Sequence, residues 1–365
     1  MTGLLLWRGG IGISAALAAL NLLVGASGGL ARLGLATPQA AIGVHGAVMA
    51  CGFFGALIAL ERAVALRRLA GLTAPLAAGV GGVLAWTLPG TAAPAQAAWL
   101  LAAGALVGLY IQAWVTRAWS LPLLVELCGA LCWGAGTVAW AADSLAAAVT
   151  GWTAFLVLTI AAERRELTQM FRLSVFAQRL FVAIISVPLA AVTLATAAAF
   201  GADTNAFVSG PWWASCAVLA IWLLRWDMAP RQWASPGWRG HTAQCLSIGY
   251  CWLLAGSLLG LAGPRLPGGG TALALHAVLL GFVVAMVFGH APIILPTLTG
   301  LRPVYSGWAR APIWILSASL VLRGAAALEG SGQWLAVAGV GHALAIGWFA
   351  CVMFIGTLRG RHAER

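Results

Sequence analysis

Apolar residues run along this chain in long stretches, without the period-two alternation of half-buried strands. Between charges, prolines and glycine clusters, twelve stretches stand out: 4–29, 39–62, 70–89, 95–116, 120–142, 145–163, 175–200, 210–229, 241–263, 271–297, 307–328 and 333–358. A helix that crosses a bilayer needs about 20 mostly apolar residues. The pattern therefore predicts twelve transmembrane helices joined by short loops. No soluble domain, low-complexity linker or solenoid-length repeat interrupts them. The expectation is an all-α integral membrane protein, one polytopic transmembrane domain over 1–365.

Composition sharpens this. The chain is 62% hydrophobic and only 8% charged, whereas soluble domains carry about 25% charged residues. Net charge is +11, and every one of the 20 basic residues is Arg. Nucleic-acid binding would need those arginines on a solvated face, which this pattern does not offer; the expected partner is the lipid bilayer. Seventeen arginines fall at the N-terminus, the even-numbered span boundaries or the C-terminus, against Arg32, Arg265 and Arg323 on the other side. One misplaced span would destroy that asymmetry, so both termini are expected in the cytoplasm. The first stretch reads as an anchored helix, although Gly25-Ala26-Ser27 mimics a signal-cleavage site. Tryptophans near span ends, such as Trp99, Trp119, Trp212, Trp213 and Trp233, read as interfacial belts. All seven cysteines fall inside spans; Cys128 and Cys132, at i and i+4, read as a soft-metal pair or, preferably, as helix packing.

Ionisable groups at membrane depth are costly and mark candidate sites. His45, His276 and His342 come from three helices that descend in the same direction and reach one layer. Along the second span His45, Met49, Gly52 and Phe53 share a face. The small residue there leaves room for a porphyrin and the aromatic ring packs on it. The alternative is that each histidine hydrogen-bonds a neighbouring helix.

A second cluster lies at the inner ends, where the second span closes on Glu61-Arg62, the sixth on Glu163-Arg164-Arg165-Glu166 and the tenth on Gly289-His290-Ala291-Pro292. These spans are four apart, which suggests three pseudo-repeated four-helix arcs. A shift of 102 aligns Glu61-Arg62 with Glu163-Arg164 and maps His45 onto Ala147. The cluster reads as a metal or proton site of Glu61, Glu163, Glu166 and His290, or, preferably, as Glu–Arg pairs that tie helix ends together. On continuous α-helices His45 and Glu61 would face about 160° apart, and His276 and His290 within about 40°. His241 and His362 read as solvated, Asp227 as a surface partner of Arg225 and Arg231. Pro292 and Pro296 would free carbonyls for a ligand, water or Arg62.

His45-x-x-x-Met49-x-x-Gly52-Phe53, the run Gly249-Tyr250-Cys251-Trp252-Leu253-Leu254, and His276-Ala277 with Gly281, Met286 and Gly289-His290 together resemble the NnrS family. More distantly the chain is similar to the catalytic subunit of haem-copper oxidases. Spans six and seven hold no histidine, so an oxidase-type copper site does not carry over. The resemblance implies a bacterial inner-membrane protein with haem b, and with copper as a second metal, acting in electron transfer or nitric oxide handling. His45 and His276 would be axial ligands, His342 a third ligand or a propionate or second-metal partner. His290, Glu61 and Glu163 are the inner metal candidates. A redox partner protein or respiratory complex would supply electrons. Two other classes fit the same pattern, a cofactor-free proton-coupled transporter and a structural subunit of a respiratory complex. Whether the protein is an oxidoreductase-like enzyme stays open.

Overall fold

A computed structural model describes residues 2–117, 119–168, 173–202, 209–266 and 270–363. Among them lie twelve long helices. They are α1 (Thr2–Ala31), α2 (His45–Leu66), α3 (Thr73–Thr87), α4 (Ala93–Arg117), α5 (Leu121–Ala141), α6 (Leu145–Thr168), α7 (Val175–Ala199), α8 (Ser209–Trp226), α9 (Gly237–Ala262), α10 (Gly270–Thr299), α11 (Ala311–Glu329) and α12 (Gly332–Ala363). Each coincides with one apolar stretch. Several overrun their stretch, α6 and α12 most clearly, because Glu and Arg are good helix formers and do not stop a helix. Eleven are long and apolar enough to cross a membrane. The other, α8, spends Ser209, Gly210, Pro211 and Arg225 within 18 residues. Two of the seventeen inward-assigned arginines, Arg172 and Arg365, lie outside the described residues.

The chain divides into two compact units. The first comprises Met1–Glu166 and Ile185–Val208, the second Leu167–Ile184 and Ser209–Arg365. Small residues set the helix spacing in each. In the first, a Cβ on Gly52 would lie 3.1 Å from the Gly82 Cα and from the Asn21 side chain. Asn21 stays buried by donating to the carbonyls of Leu17 and Gly79, at 3.0 and 2.9 Å. Trp99 is fully buried, donates to Ala78 O at 3.0 Å, and packs with Trp140 and Trp152. In the second unit Gly281 receives Trp252, whose indole donates to Ser317 Oγ at 3.1 Å, and Gly260 receives the Trp213 ring. Trp119 and Trp233 are exposed, as a belt requires, but Trp99, Trp212 and Trp213 are core residues. The Trp99 and Trp213 indoles fill gaps that Gly81 and Gly260 open.

Two helices depart from α geometry. In α2, Val48–Phe54 is a π-helical segment; in α10, Ala277–Val284 is another. When residue n of α2 is set beside n + 229 of α10, both π segments begin at the same place, Val48 beside Ala277. The same shift matches Gly52-Phe53 with Gly281-Phe282 and Ala56 with Ala285, and sets Glu61 beside His290. The sixth stretch, which lacks an outer histidine, is the uninterrupted α-helix α6.

Candidate functional site

The densest gathering of ionisable groups lies in the first unit around Arg62, in the α-helical end of α2. One guanidinium nitrogen, Nη2, sits 2.7 Å from Glu163 Oε1 on α6, 3.0 Å from Glu126 Oε1 on α5 and 4.0 Å from Glu61 Oε1 beside it. The contact with Glu163 is a hydrogen bond; Glu126 Oε1 has charge contact without a well-aligned one. Glu126 is the most enclosed, with 3% of its side chain exposed against 30% for Glu61. The phenol of Tyr110 on α4 is buried, has no hydrogen-bond partner, and lies within electrostatic reach of Glu126, Arg62, Glu163 and Glu61. Arg164 and Glu166 extend the field around Glu61.

Three helices thus bring three carboxylates to one guanidinium nitrogen, and a fourth sets the Tyr110 phenol within electrostatic reach. At an effective dielectric near 20, each close pair is worth roughly 5 kcal/mol of gross Coulomb attraction, and carboxylate repulsion is of similar order. One guanidinium balances one carboxylate, so Arg62 alone leaves the group negative. The sequence pointed to Glu61 and Glu163 but not to Glu126 or Tyr110. Glu126 had a visible signal, a lone acid inside Leu121-Pro122-Leu123-Leu124-Val125-Glu126-Leu127-Cys128. Tyr110 had none, because a tyrosine in an apolar helix is ordinary.

The three histidines expected in one layer divide between the units, His45 in the first and His276 and His342 in the second. His45 Nδ1 lies 2.5 Å from Gly25 O on α1, and a Cβ on Gly29 would lie 2.8 Å from the ring. Met49 packs on Gly25, at 2.7 Å from its notional Cβ. His45, Met49 and Gly52 therefore do share a face, but that face is pressed against α1 and α3. Gly52 leaves no room there for a porphyrin plate, and Phe53 is buried against Phe54. His276 Nδ1 lies 2.7 Å from Ala272 O, and His290 Nδ1 lies 2.9 Å from Met286 O. A carbonyl only accepts, so all three rings carry their proton on Nδ1 and, when neutral, their lone pair on Nε2. That tautomer fits an axial ligand, and metal-bound histidines commonly anchor the other ring nitrogen on a carbonyl. The angles of about 160° and 40° calculated for straight helices do not apply, because each interval crosses a π segment with more residues per turn.

Two sequence assignments are overturned. His241 is 1% exposed rather than solvated. Its Nε2 donates to Phe288 O at 2.9 Å, and Thr242 donates to Gly289 O at 2.8 Å. Phe288 is four residues before Pro292, so its carbonyl lacks the usual helical donor; His241 supplies one. Asp227 is also 1% exposed. It accepts the Tyr250 hydroxyl and, at 2.6 Å, the Met228 N–H, and does not serve as a surface partner of Arg225 and Arg231. Cys128 and Cys132 line an apolar, side-open cleft of about 380 Å³ with Val192, Thr196 and Phe200. Among the described residues no three His, Cys, Asp or Glu side chains gather closely enough to hold a metal ion.

Residues 13–358 match the family described as a domain of unknown function, DUF8744, and the chain belongs to that family. No curated protein and no solved structure matches the chain.

Proposed function

We propose that the protein crosses a bacterial inner membrane twelve times with both termini cytoplasmic, and that it moves protons through the Arg62 cluster as part of a proton-coupled transport cycle. The observation that carries this reading is one Arg62 nitrogen shared by carboxylates from three helices, with the unpartnered Tyr110 hydroxyl beside them. A single Glu–Arg pair would be a neutral tie. Three carboxylates, with Glu166 beside them, outnumber Arg62 and the nearby Arg164, and surplus negative charge at membrane depth is relieved by bound protons. Glu61, the most exposed, is the entry, and Glu126 with Tyr110 is the enclosed end. The matched π segments of α2 and α10 support first and third arcs of common design, with α6 as the plain second helix of the middle arc.

The test uses full-length protein in liposomes loaded with a pH-sensitive dye and driven by an imposed potential. Wild type acidifies the lumen; Glu126→Gln slows this at least tenfold, while Asp143→Asn, on an exposed turn, leaves it unchanged. No proton entry in wild type, or an unaltered rate in Glu126→Gln, overturns the reading.

A second reading has its own observation, the π segments that begin just after His45 and His276. Such segments are frequent at functional sites. Here the protein is haem-binding, with copper as a second metal, as the NnrS resemblance implies, and His45 in the first unit and His276 in the second are each a candidate ligand through Nε2. The group would supply electron transfer or nitric oxide chemistry. Purified protein would then show a Soret band that His45→Ala or His276→Ala alters; a colourless protein, or a band unchanged in both variants, excludes it.

A further inference from the structure

In the second unit α11 and α12 meet closely where a Cβ on Gly341 would lie 2.7 Å from Ser319 Cβ. Beside Gly341 stands His342, 7% exposed, with a buried Nε2 that has no hydrogen-bond partner. One turn beyond Ser319 on the same face of α11 is Arg323. Helical side chains lean toward the N-terminus, so its guanidinium reaches back toward the Ser319–Gly341 contact. Arg323 lies within electrostatic reach of His342. It is half-buried in a span-length apolar helix, and among the described residues it forms no ion pair.

An uncompensated guanidinium at membrane depth is expensive, and so is a buried ring nitrogen left without a partner. One group satisfies both. A metal cation at His342 would meet the positive charge of Arg323, whereas an anion would be held by the guanidinium fork and by the imidazole N–H. Arg323 is six residues from the end of α11 at Glu329, about 9 Å along the axis, a depth that a lipid headgroup or a small dissolved anion can reach. We propose that Arg323 and His342 form a phosphate-binding site, occupied by the headgroup phosphate of an anionic lipid or by free phosphate.

Two probes separate those sources. Native mass spectrometry of the detergent-purified full chain looks for retained phosphatidylglycerol, and calorimetry of delipidated protein titrates inorganic phosphate. The proposal expects one probe to bind wild type, with binding at least tenfold weaker in Arg323→Gln and in His342→Gln and partly kept in Arg323→Lys. Retained lipid assigns the headgroup, and a calorimetric signal assigns the free anion. Gel filtration checks each variant, and His342→Asn replaces any His342→Gln protein that fails to fold. Neither probe binding wild type overturns the proposal. So does binding that is lost in Arg323→Gln but untouched by both His342 variants, which would mean that Arg323 alone attracts anions.

Discussion

α2 and α10 begin alike and end differently. Each carries a π segment at the same register and a Gly-Phe pair within it, packed against the preceding long helix of its own unit. Nine residues past the glycine, α2 presents Glu61-Arg62 and α10 presents His290-Ala291-Pro292. The first end collects charge from two further helices, α5 and α6. The second breaks its own hydrogen-bond ladder at Pro292 and repairs it with His241, while Thr242 donates to the next carbonyl, Gly289 O. The same scaffold therefore serves two purposes, one end built for charge and the other for a stable proline break. Buried charge is weak evidence of stability, and the charged end is the one that needs a functional reason.

The largest expected effect that could break this comparison comes from Arg62→Leu. It leaves Glu126 and Glu163 buried without their cation and should cost about 3–5 kcal/mol, read as a lower unfolding midpoint in detergent. A near-neutral result would mean that the carboxylates do not depend on Arg62. Next is His241→Ala, which strands the Phe288 carbonyl at about 1–3 kcal/mol. Pro292→Ala restores a backbone N–H to that carbonyl, so the double variant should recover most of the loss. Equal losses in the single and double variants would show that His241 acts otherwise. The smallest effect is Gly52→Ala, whose methyl would press on the Gly82 backbone at 3.1 Å. It should cost about 1 kcal/mol, whereas Gly12→Ala, with open space around it, should be neutral or slightly stabilising.

The helices were legible because a bilayer demands long apolar runs, and those runs are visible letter by letter. The π segments were not, since an extra residue in a turn leaves hydropathy unchanged while rotating everything after it. That is why the helical-wheel angles from His45 to Glu61 and from His276 to His290 do not apply. Glu61 and Glu163 were readable as acids at span ends, and Glu126 as an isolated acid within one. Asp227 misled because its sequence neighbours Arg225 and Arg231 are cations, while its partner Tyr250 lies on another helix. His241 misled because α9 starts four residues earlier than the apolar run, at Gly237, which carries the ring inward to a carbonyl that Pro292 leaves open. The glycine beside His45 suggested a cofactor cradle, but the space it opens is taken by α1 and α3.

The central claim, that the Arg62 cluster holds exchangeable protons, is most directly tested by infrared difference spectra of the purified full chain between two pH values, in the carbonyl-stretch region of protonated carboxyls. The account predicts a carboxyl band that vanishes in Glu126→Gln and shifts in Tyr110→Phe. A spectrum with no such band, or a band indifferent to both substitutions, would contradict it.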